Sequence, residues 1–204
     1  MKTPSIYLAS MSPRRQELLR QLGVDFELLR LREASGRARD VDEVARDGEP
    51  ASHYVERIAR TKAQVGWQRM QSRRLPERPV LGADTEVVRD GIIFGKPADA
   101  DDAIRMLSVL GGRTHQVLTA VALRFGERTE VEVSASDVTF AKLSAAEIKR
   151  YVALGEWDDK AGAYAIQGRA AAFVTRINGS YSGVMGLPLA ETATLLRRLG
   201  FPVL

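Results

Sequence analysis

The chain has 204 residues, of which 45% are hydrophobic and none is cysteine. This content is enough to bury a core, and it excludes wholesale disorder, disulfides and thiolate chemistry. No apolar run reaches the ~18 residues of a membrane span, and the first residues are too polar for a signal peptide. We therefore expect a cytoplasmic protein with no membrane partner.

The start of the chain predicts a strand, a helix and a second strand. Residues 5–9 form an apolar run that is typical of a buried strand. Ser12 then caps a helix, which Gly23 ends. Residues 24–31 predict the second strand, whereas the charged and aperiodic residues 32–49 predict a loop.

The rest of the chain alternates helices and strands around a long hairpin. The predicted elements are a helix at 51–71, strands from Val80 and at 92–94, a helix at 99–110, a hairpin over 114–140 that turns at 126–128, a helix from Ser144 to about Leu154, a strand at 171–177, a glycine-rich loop at 179–188 and a closing helix at 189–199. This order predicts an α/β fold with a central mixed β-sheet flanked by helices. No linker divides the chain, so residues 1–204 are predicted to form a single domain.

Two segments carry side chains suited to a polyanion. The segment from Ser10 to Arg15 leads from a strand into a helix and holds two serines and two arginines. Amides at a helix N-terminus, hydroxyls and guanidiniums together favour a phosphate, although helix capping with solvated arginines is the alternative. Lys96, between Gly95 and Pro97, suits a phosphate charge, and an exposed turn lysine is its alternative.

Asp84 interrupts the apolar strand that begins at Val80. A buried carboxylate needs a cation, a metal or dedicated hydrogen bonds, so Asp84 is a candidate metal ligand or general base. The alternative is an aspartate that fixes a turn at the end of a strand. His53 and His115 form no pair with metal-ligand spacing, so a zinc site is not expected.

Six short segments, in this order, resemble the Maf family of nucleoside triphosphate pyrophosphatases. They are residues 8–19, 82–85, 95–97, 115–119, 159–168 and 184–188. The resemblance spans roughly residues 6 to 199 and implies a Maf/ITPase-like fold with two lobes and an intervening cleft. It also implies hydrolysis of a nucleoside triphosphate to the monophosphate and pyrophosphate, with Mg²⁺ or Mn²⁺ as cofactor, by a homodimer that binds no nucleic acid.

The resemblance assigns roles residue by residue. It implies that Asp84 is the proton acceptor and, together with Glu43, a ligand of the divalent metal. Asp159 is either a second acidic ligand or, as we favour, a structural support. The implied phosphate contacts are Ser10, Ser12, Arg15, Lys62 and Lys96. For Lys62, a lysine that only extends to solvent along its helix is the alternative.

Arg14, Thr85 and Gln167 resemble the branch of the family that hydrolyses dTTP and UTP, whereas the 7-methyl-GTP branch carries Trp, Gln and Glu at these places. The chemistry agrees, because an amide both donates and accepts along the edge of thymine or uracil. House-cleaning of nucleotide pools is the implied role. Two alternatives stay open: a pyrophosphatase for 7-methyl-GTP or non-standard purine nucleotides, and a nucleic-acid-binding regulator suggested by a pI near 9.6.

Overall fold

The computed structural model describes residues 5–32, 40–201 and 203. The first half of the chain forms β1 (Ser5–Leu8), α1 (Pro13–Gln21), β2 (Asp25–Leu28), α2 (Ala51–Ser72), β3 (Val80–Arg89), β4 (Ile92–Phe94) and α3 (Ala100–Leu110). The second half forms β5 (Thr114–Phe125), β6 (Arg128–Phe140), α4 (Ala145–Val152), 3-10 turns at Ala161–Ala163 and Arg169–Phe173, β7 (Val174–Asn178), α5 (Tyr181–Met185) and α6 (Leu189–Arg198).

The seven strands of the described residues belong to one mixed sheet. The strand order is β2-β1-β3-β5-β6-β7, and β4 pairs with β3 outside this path. β1 runs parallel to β2 and β3. The pairs β3–β4, β3–β5, β5–β6 and β6–β7 are antiparallel. The predicted α/β fold with a central mixed sheet is therefore confirmed, and the division of one domain into two lobes stays a prediction.

The helices cover both faces of the sheet. Helix α2 packs with Ile58, Ala59 and Ala63 on one face, where Leu118 and Ala120 of β5 are buried. Helices α1, α3, α4 and α6 contribute to a larger cluster on the other face. Since successive residues of a strand point to opposite faces, neighbouring residues of β3 meet different helices.

Gly82 sets the distance between α2 and β3. A Cβ atom at this position would lie 2.6 Å from the carbonyl oxygen of Ala59 and 2.6 Å from the amide nitrogen of Ala63. Only a residue without a side chain therefore lets the helix rest directly on the strand backbone. This contact brings Lys62 of α2 next to Asp84 of β3.

The predicted ends of α1 and α4 are confirmed by their caps. The Ser12 hydroxyl accepts a hydrogen bond from the Arg15 amide, and Gly23 follows α1 with a φ of 73°. Ser144 and Glu147 form the reciprocal capping box that the sequence predicts for α4. Side-chain hydrogen bonds thus supply partners for amides that a helix start leaves unsatisfied.

Three predicted boundaries are wrong. β2 ends at Leu28 rather than at residue 31, because its partner β1 ends at the paired residue Leu8. The last strand starts at Val174, since residues 169–173 form a 3-10 turn. The predicted loop at 179–188 contains α5, which Ser180 caps by accepting from the Gly183 amide. Of the predicted loop at 32–49 and its arginines, residues 33–39 lie outside the described residues, as do residues 1–4.

No helix in the described part of the chain is long and apolar enough to cross a membrane.

Candidate active site

A gap at one edge of β3 opens into a cavity. β1 pairs with β3 only at Val80 and Leu81, and β4 pairs with it only from Val87 onwards. Between these points, no strand of the described residues borders positions 82–86 on that side. The cavity at this gap has a volume of about 790 Å³, and side chains from both faces of β3 line it.

The structure brings all the predicted site residues to this one cavity. Its lining includes Ser10, Ser12, Arg14, Arg15, Glu43, Lys62, Asp84, Thr85, Lys96 and Gln167. They come from the start of α1, the loop before α2, α2 itself, β3, the segment after β4 and the loop before β7. Because these elements lie far apart in the sequence, the sequence shows the site only as several short, separate segments.

Lys62 joins the two predicted metal ligands. Its Nζ atom lies 2.8 Å from Oδ1 of Asp84 and 2.7 Å from Oε1 of Glu43. Burial alone would raise the pKa of Glu43, but the charge of Lys62 beside it lowers that pKa below its usual value. An ammonium group has three N–H donors, so one donor of Lys62 stays available for a phosphate oxygen.

Two carboxylate oxygens at this site are buried without a hydrogen-bond partner among the described residues. They are Oδ2 of Asp84 and Oε2 of Glu86. Asp84 itself is 7% exposed. A buried carboxylate oxygen without a partner is costly in the free protein, which indicates that a ligand or water completes this part of the site.

Glu86 is a cavity residue that the sequence analysis missed. It lies two residues after Asp84, so both side chains point to the same face of β3. Burial, and after it the negative charge of Asp84, raises the pKa of Glu86 to about 8. A second acid at an i, i+2 spacing in an apolar strand is the signal that identifies it.

Arg15 forms the other half of the site. Its Nε donates to the Gly186 carbonyl at 2.8 Å, its Nη2 to the Thr85 hydroxyl at 3.2 Å and its Nη1 to the Ser10 hydroxyl at 3.4 Å. Burial lowers the pKa of Arg15 from its usual value. The guanidinium has five N–H donors, so two are left for an anion in the cavity.

The start of α1 offers fewer amides to an anion than the sequence predicts. The Ser12 amide donates to the Ser10 hydroxyl, and the Arg15 amide donates to the Ser12 hydroxyl. Pro13 has no N–H. The serines therefore satisfy part of the helix start themselves, and the donors they turn towards the cavity are hydroxyl groups, alongside the guanidiniums.

The loop before β7 closes one side of the cavity. Lys96 forms an ion pair with Asp159, and the Gly162 amide donates to the Gly95 carbonyl at 3.1 Å. Asp159 thus contacts Lys96 of the predicted phosphate set, as a structural support would. A Cβ at Gly95 would lie 4.0 Å from Glu86 Oε2, so no described protein atom requires a glycine at this position.

His115 supports the same loop from behind. Its Nε2 lies 2.9 Å from the Tyr164 hydroxyl, and both rings pack edge-on against Phe140. Burial, followed by the charge of Arg89, lowers the pKa of His115 to about 4. The histidine is therefore a neutral core residue at pH 7.

The acidic residues suit a divalent cation that is bound together with a substrate. Among residues 5–32, 40–201 and 203, no group of three His, Cys, Asp or Glu side chains is arranged to hold a metal ion. Mg²⁺ is commonly held by one or two carboxylates, water and substrate phosphates rather than by protein alone. The unpartnered oxygens of Asp84 and Glu86, with Glu43 nearby, are hard donors of that kind.

Comparison with known proteins identifies the family of this chain. The model of the family described as "Maf-like protein" matches residues 5–199. Proteins named dTTP/UTP pyrophosphatase from Aromatoleum aromaticum, Chromobacterium violaceum and Nitrosomonas europaea are 58%, 56% and 52% identical to this chain. The matches cover 97%, 96% and 100% of this chain and 97%, 95% and 100% of those proteins.

Among solved structures, the Staphylococcus aureus Ham1 protein matches with a TM-score of 0.43 and 13% identity, over 67% of this chain and 72% of that chain. The assignment rests on the family model and on the relatives at 50% identity or more, which extend over nearly the whole sequence. The chain belongs to the Maf family.

Proposed function

We propose that this protein hydrolyses dTTP and UTP to the monophosphate and pyrophosphate and thereby clears nucleotide pools. One observation carries the proposal: Arg14, Thr85 and Gln167, which are expected to select the base, line the same cavity as Asp84 and the residues expected to contact phosphate. The names of the relatives support the same activity. Hydrolysis of the bond between the α- and β-phosphates is a reaction at a phosphorus-containing anhydride.

In the proposed mechanism, water attacks the α-phosphate in line and pyrophosphate leaves. Asp84 is placed to orient this water and to accept its proton. Lys62 fixes the carboxylate through Oδ1, and the lone pairs of the buried Oδ2 remain for the water. The attacking oxygen would therefore be positioned by an acid whose own rotation is restricted.

The cationic residues would hold the triphosphate. Arg15, Lys62 and Lys96 reach the cavity from three different segments, so they can contact phosphates along the chain of the substrate. The hydroxyls of Ser10 and Ser12 each retain an O–H donor for a phosphate oxygen. In phosphoryl transfer, such positioning and charge neutralisation supply most of the rate.

We propose that a divalent cation, Mg²⁺ or Mn²⁺, is the cofactor. Asp84 and Glu43 would hold it, with Glu86 close to Asp84 on the same strand face. When bound, such a cation neutralises the charge that develops on the phosphate oxygens. Without such a cation, the carboxylates of this site would repel the negatively charged triphosphate.

Base choice would depend on hydrogen bonds from Gln167 and on the charge of Arg14, both in the cavity lining. Gln167 has an amide that donates and accepts, whereas a carboxylate only accepts. Arg14 disfavours a cationic methylated purine, because like charges repel. A site that pairs with one base edge leaves buried groups unpaired when the wrong base enters, which reduces kcat/KM by up to several powers of ten.

The test is a panel of nucleotides on the wild type and on Gln167→Glu. We expect kcat/KM for pyrophosphate release to be highest for dTTP and UTP, above GTP, ATP and 7-methyl-GTP. Gln167→Glu should reduce the rate for the pyrimidine nucleotides without producing a 7-methyl-GTP enzyme, since Arg14 remains. Equal rates for purines and pyrimidines in the wild type would contradict the proposed base selection.

Binding to mixed-sequence DNA or RNA is the matched test of the regulator alternative. A nucleic-acid-binding protein would bind with a steep dependence on salt and would not turn over nucleotides.

We propose instead a cytoplasmic homodimer whose partner is the nucleotide alone. Sedimentation of the purified protein measures the oligomeric state, independently of the nucleotide panel.

A further inference from the structure

Thr119 lies behind the cavity and contacts one of its wall residues. It faces Thr85 directly across the antiparallel pair of β5 and β3, and its side chain is 1% exposed. Its Oγ1 lies 3.0 Å from Oγ1 of Thr85 and 2.7 Å from the carbonyl oxygen of Gly183 in α5. Thr119 is outside the cavity lining, whereas Thr85 belongs to it.

The chemistry of these groups fixes where each hydroxyl hydrogen points. A carbonyl oxygen only accepts, and two oxygens 2.7 Å apart repel unless a hydrogen lies between them, so the single hydrogen of Thr119 points to Gly183. Arg15 only donates, so Thr85 accepts from Nη2. Because the one hydrogen of Thr119 is committed to Gly183, the 3.0 Å contact between the two hydroxyls is a hydrogen bond only when Thr85 donates to Thr119.

This hydrogen-bond relay runs in one direction, from Arg15 through Thr85 and Thr119 to the Gly183 carbonyl. The hydrogen of Thr85 is directed away from the cavity, and one lone pair of its hydroxyl remains. The cavity side of Thr85 therefore accepts hydrogen bonds and does not donate them. Gly186, three residues after Gly183, accepts from Nε of Arg15, so both ends of the relay are attached to α5 or the residue that ends it.

We propose that Thr119 is a positioning residue for base selection: it keeps Thr85 an acceptor towards the substrate. Such an acceptor favours a base edge that presents N–H, as N3 of thymine and uracil does, over cytosine, whose N3 is itself an acceptor. This inference rests on the proposed function, because only that function assigns Thr85 a role in selecting dTTP and UTP.

The test compares Thr119→Val, Thr119→Ser and Thr192→Val. Valine keeps the shape of threonine but loses the hydroxyl, and serine keeps the hydroxyl. Thr192 is a matched control, because it is fully buried and donates to a backbone carbonyl, that of Pro188 at 2.7 Å, but does not line the cavity. For each variant, KM and kcat are measured with dTTP and dCTP, together with the melting temperature.

We expect Thr119→Val to raise KM for dTTP and to lower the preference for dTTP over dCTP, each by about tenfold, the scale of one hydrogen bond. The change in kcat for dTTP should be smaller than the change in KM. Thr119→Ser should restore the preference for dTTP over dCTP. Thr192→Val should lower the melting temperature but leave that preference unchanged. If Thr119→Val does not fold, Thr119→Ala removes the same hydroxyl with less bulk.

A preference that Thr119→Val leaves intact, in an enzyme that prefers dTTP, overturns the positioning role and leaves the proposed function standing. The same conclusion follows if serine does not rescue the preference. A wild-type enzyme that hydrolyses dTTP and dCTP equally contradicts the selection of dTTP itself, and with it the role of Thr119. The three results are distinguishable from the same set of rate constants.

Discussion

The two faces of β3 differ in how completely their polar groups are satisfied. On the α2 side, Asp84 and Glu86 are acids with unpartnered oxygens, and Lys62 is the cation that contacts Asp84. On the other side, Thr85 is engaged by both Arg15 and Thr119. The charged face therefore carries buried oxygens without a partner among the described residues, whereas the Thr85 hydroxyl on the other face is already engaged by two side chains.

Asp84→Asn tests the charged face and should have the largest effect. The amide keeps the size of the carboxylate but removes the proton acceptor and one negative charge at the proposed metal site, so we expect turnover of dTTP to fall at least a thousandfold, on the order of a lost general base. The measurement is steady-state pyrophosphate release, with circular dichroism to verify folding.

Asp40→Asn is the matched control for that substitution. Asp40 is also a buried carboxylate, and it is paired with Arg32 and Arg69, but it does not line the cavity. Its variant should lose stability and keep most of its activity. Half of the wild-type activity or more in Asp84→Asn would eliminate the proton-acceptor role.

Arg15→Ala and Lys96→Ala compare the buried and the exposed cation. If each contacts phosphate, each variant loses a charge-assisted interaction of about 1.5–3 kcal/mol, which lowers kcat/KM about ten- to over a hundredfold. Only Arg15→Ala should also lower the melting temperature, because Arg15 makes three hydrogen bonds to the protein, whereas the side chain of Lys96 is 61% exposed. Unchanged kinetics with a lower melting temperature would show that Arg15 has a structural role alone.

His115 gives the smallest effect at neutral pH, and a larger one in acid. In the unfolded chain a histidine takes up a proton near pH 6.5, but in the folded protein the pKa is about 4, because of burial and then the charge of Arg89. The unfolded state therefore binds more protons between these values, and the free energy of unfolding should fall by about 3 kcal/mol as pH falls from about 6.5 to 4.

Urea unfolding of the wild type and His115→Phe across this pH range measures the effect. His53→Gln is the control, since His53 is exposed. The wild type should lose about 3 kcal/mol of unfolding free energy relative to His115→Phe as the pH falls across this range, because the variant has no buried histidine to protonate. A parallel decline in all three proteins would assign the acid sensitivity to other groups.

The sequence predicted which residues form the site better than it predicted how they contact one another. Periodicity, caps and turns predicted the sheet and most helices. Eight of the ten predicted site residues lie in the six family-like segments, whereas Glu43 and Lys62 lie outside them. The pairing of Lys62 with both Glu43 and Asp84 was not predictable, because it depends on how closely α2 approaches β3. The sequence predicted that Ser12 caps α1 and left open whether it also contacts a phosphate, since the same serine suits both roles.

The elements that were missed are those decided by tertiary contacts. Helix α5 lies in a segment with glycines at residues 179, 183 and 186, whose composition favours a loop, but Ser180 caps it and Thr119 anchors it. Glu86 has a sequence signal in its i, i+2 spacing from Asp84, which places both acids on one face of β3, but the sequence does not show that this face lines a cavity. Its burial becomes visible only when the gap in the sheet and the cavity are known.

The direct contact of α2 with the backbone at Gly82 has a consequence for motion. A helix that rests on a strand without intervening side chains has no room to slide or rotate, so fluctuations of the two elements should be correlated rather than independent. The Lys62–Asp84 pair spans this contact and would keep its geometry while surrounding loops fluctuate. The proton acceptor would then be aligned before any nucleotide arrives, and binding need not spend free energy on ordering it.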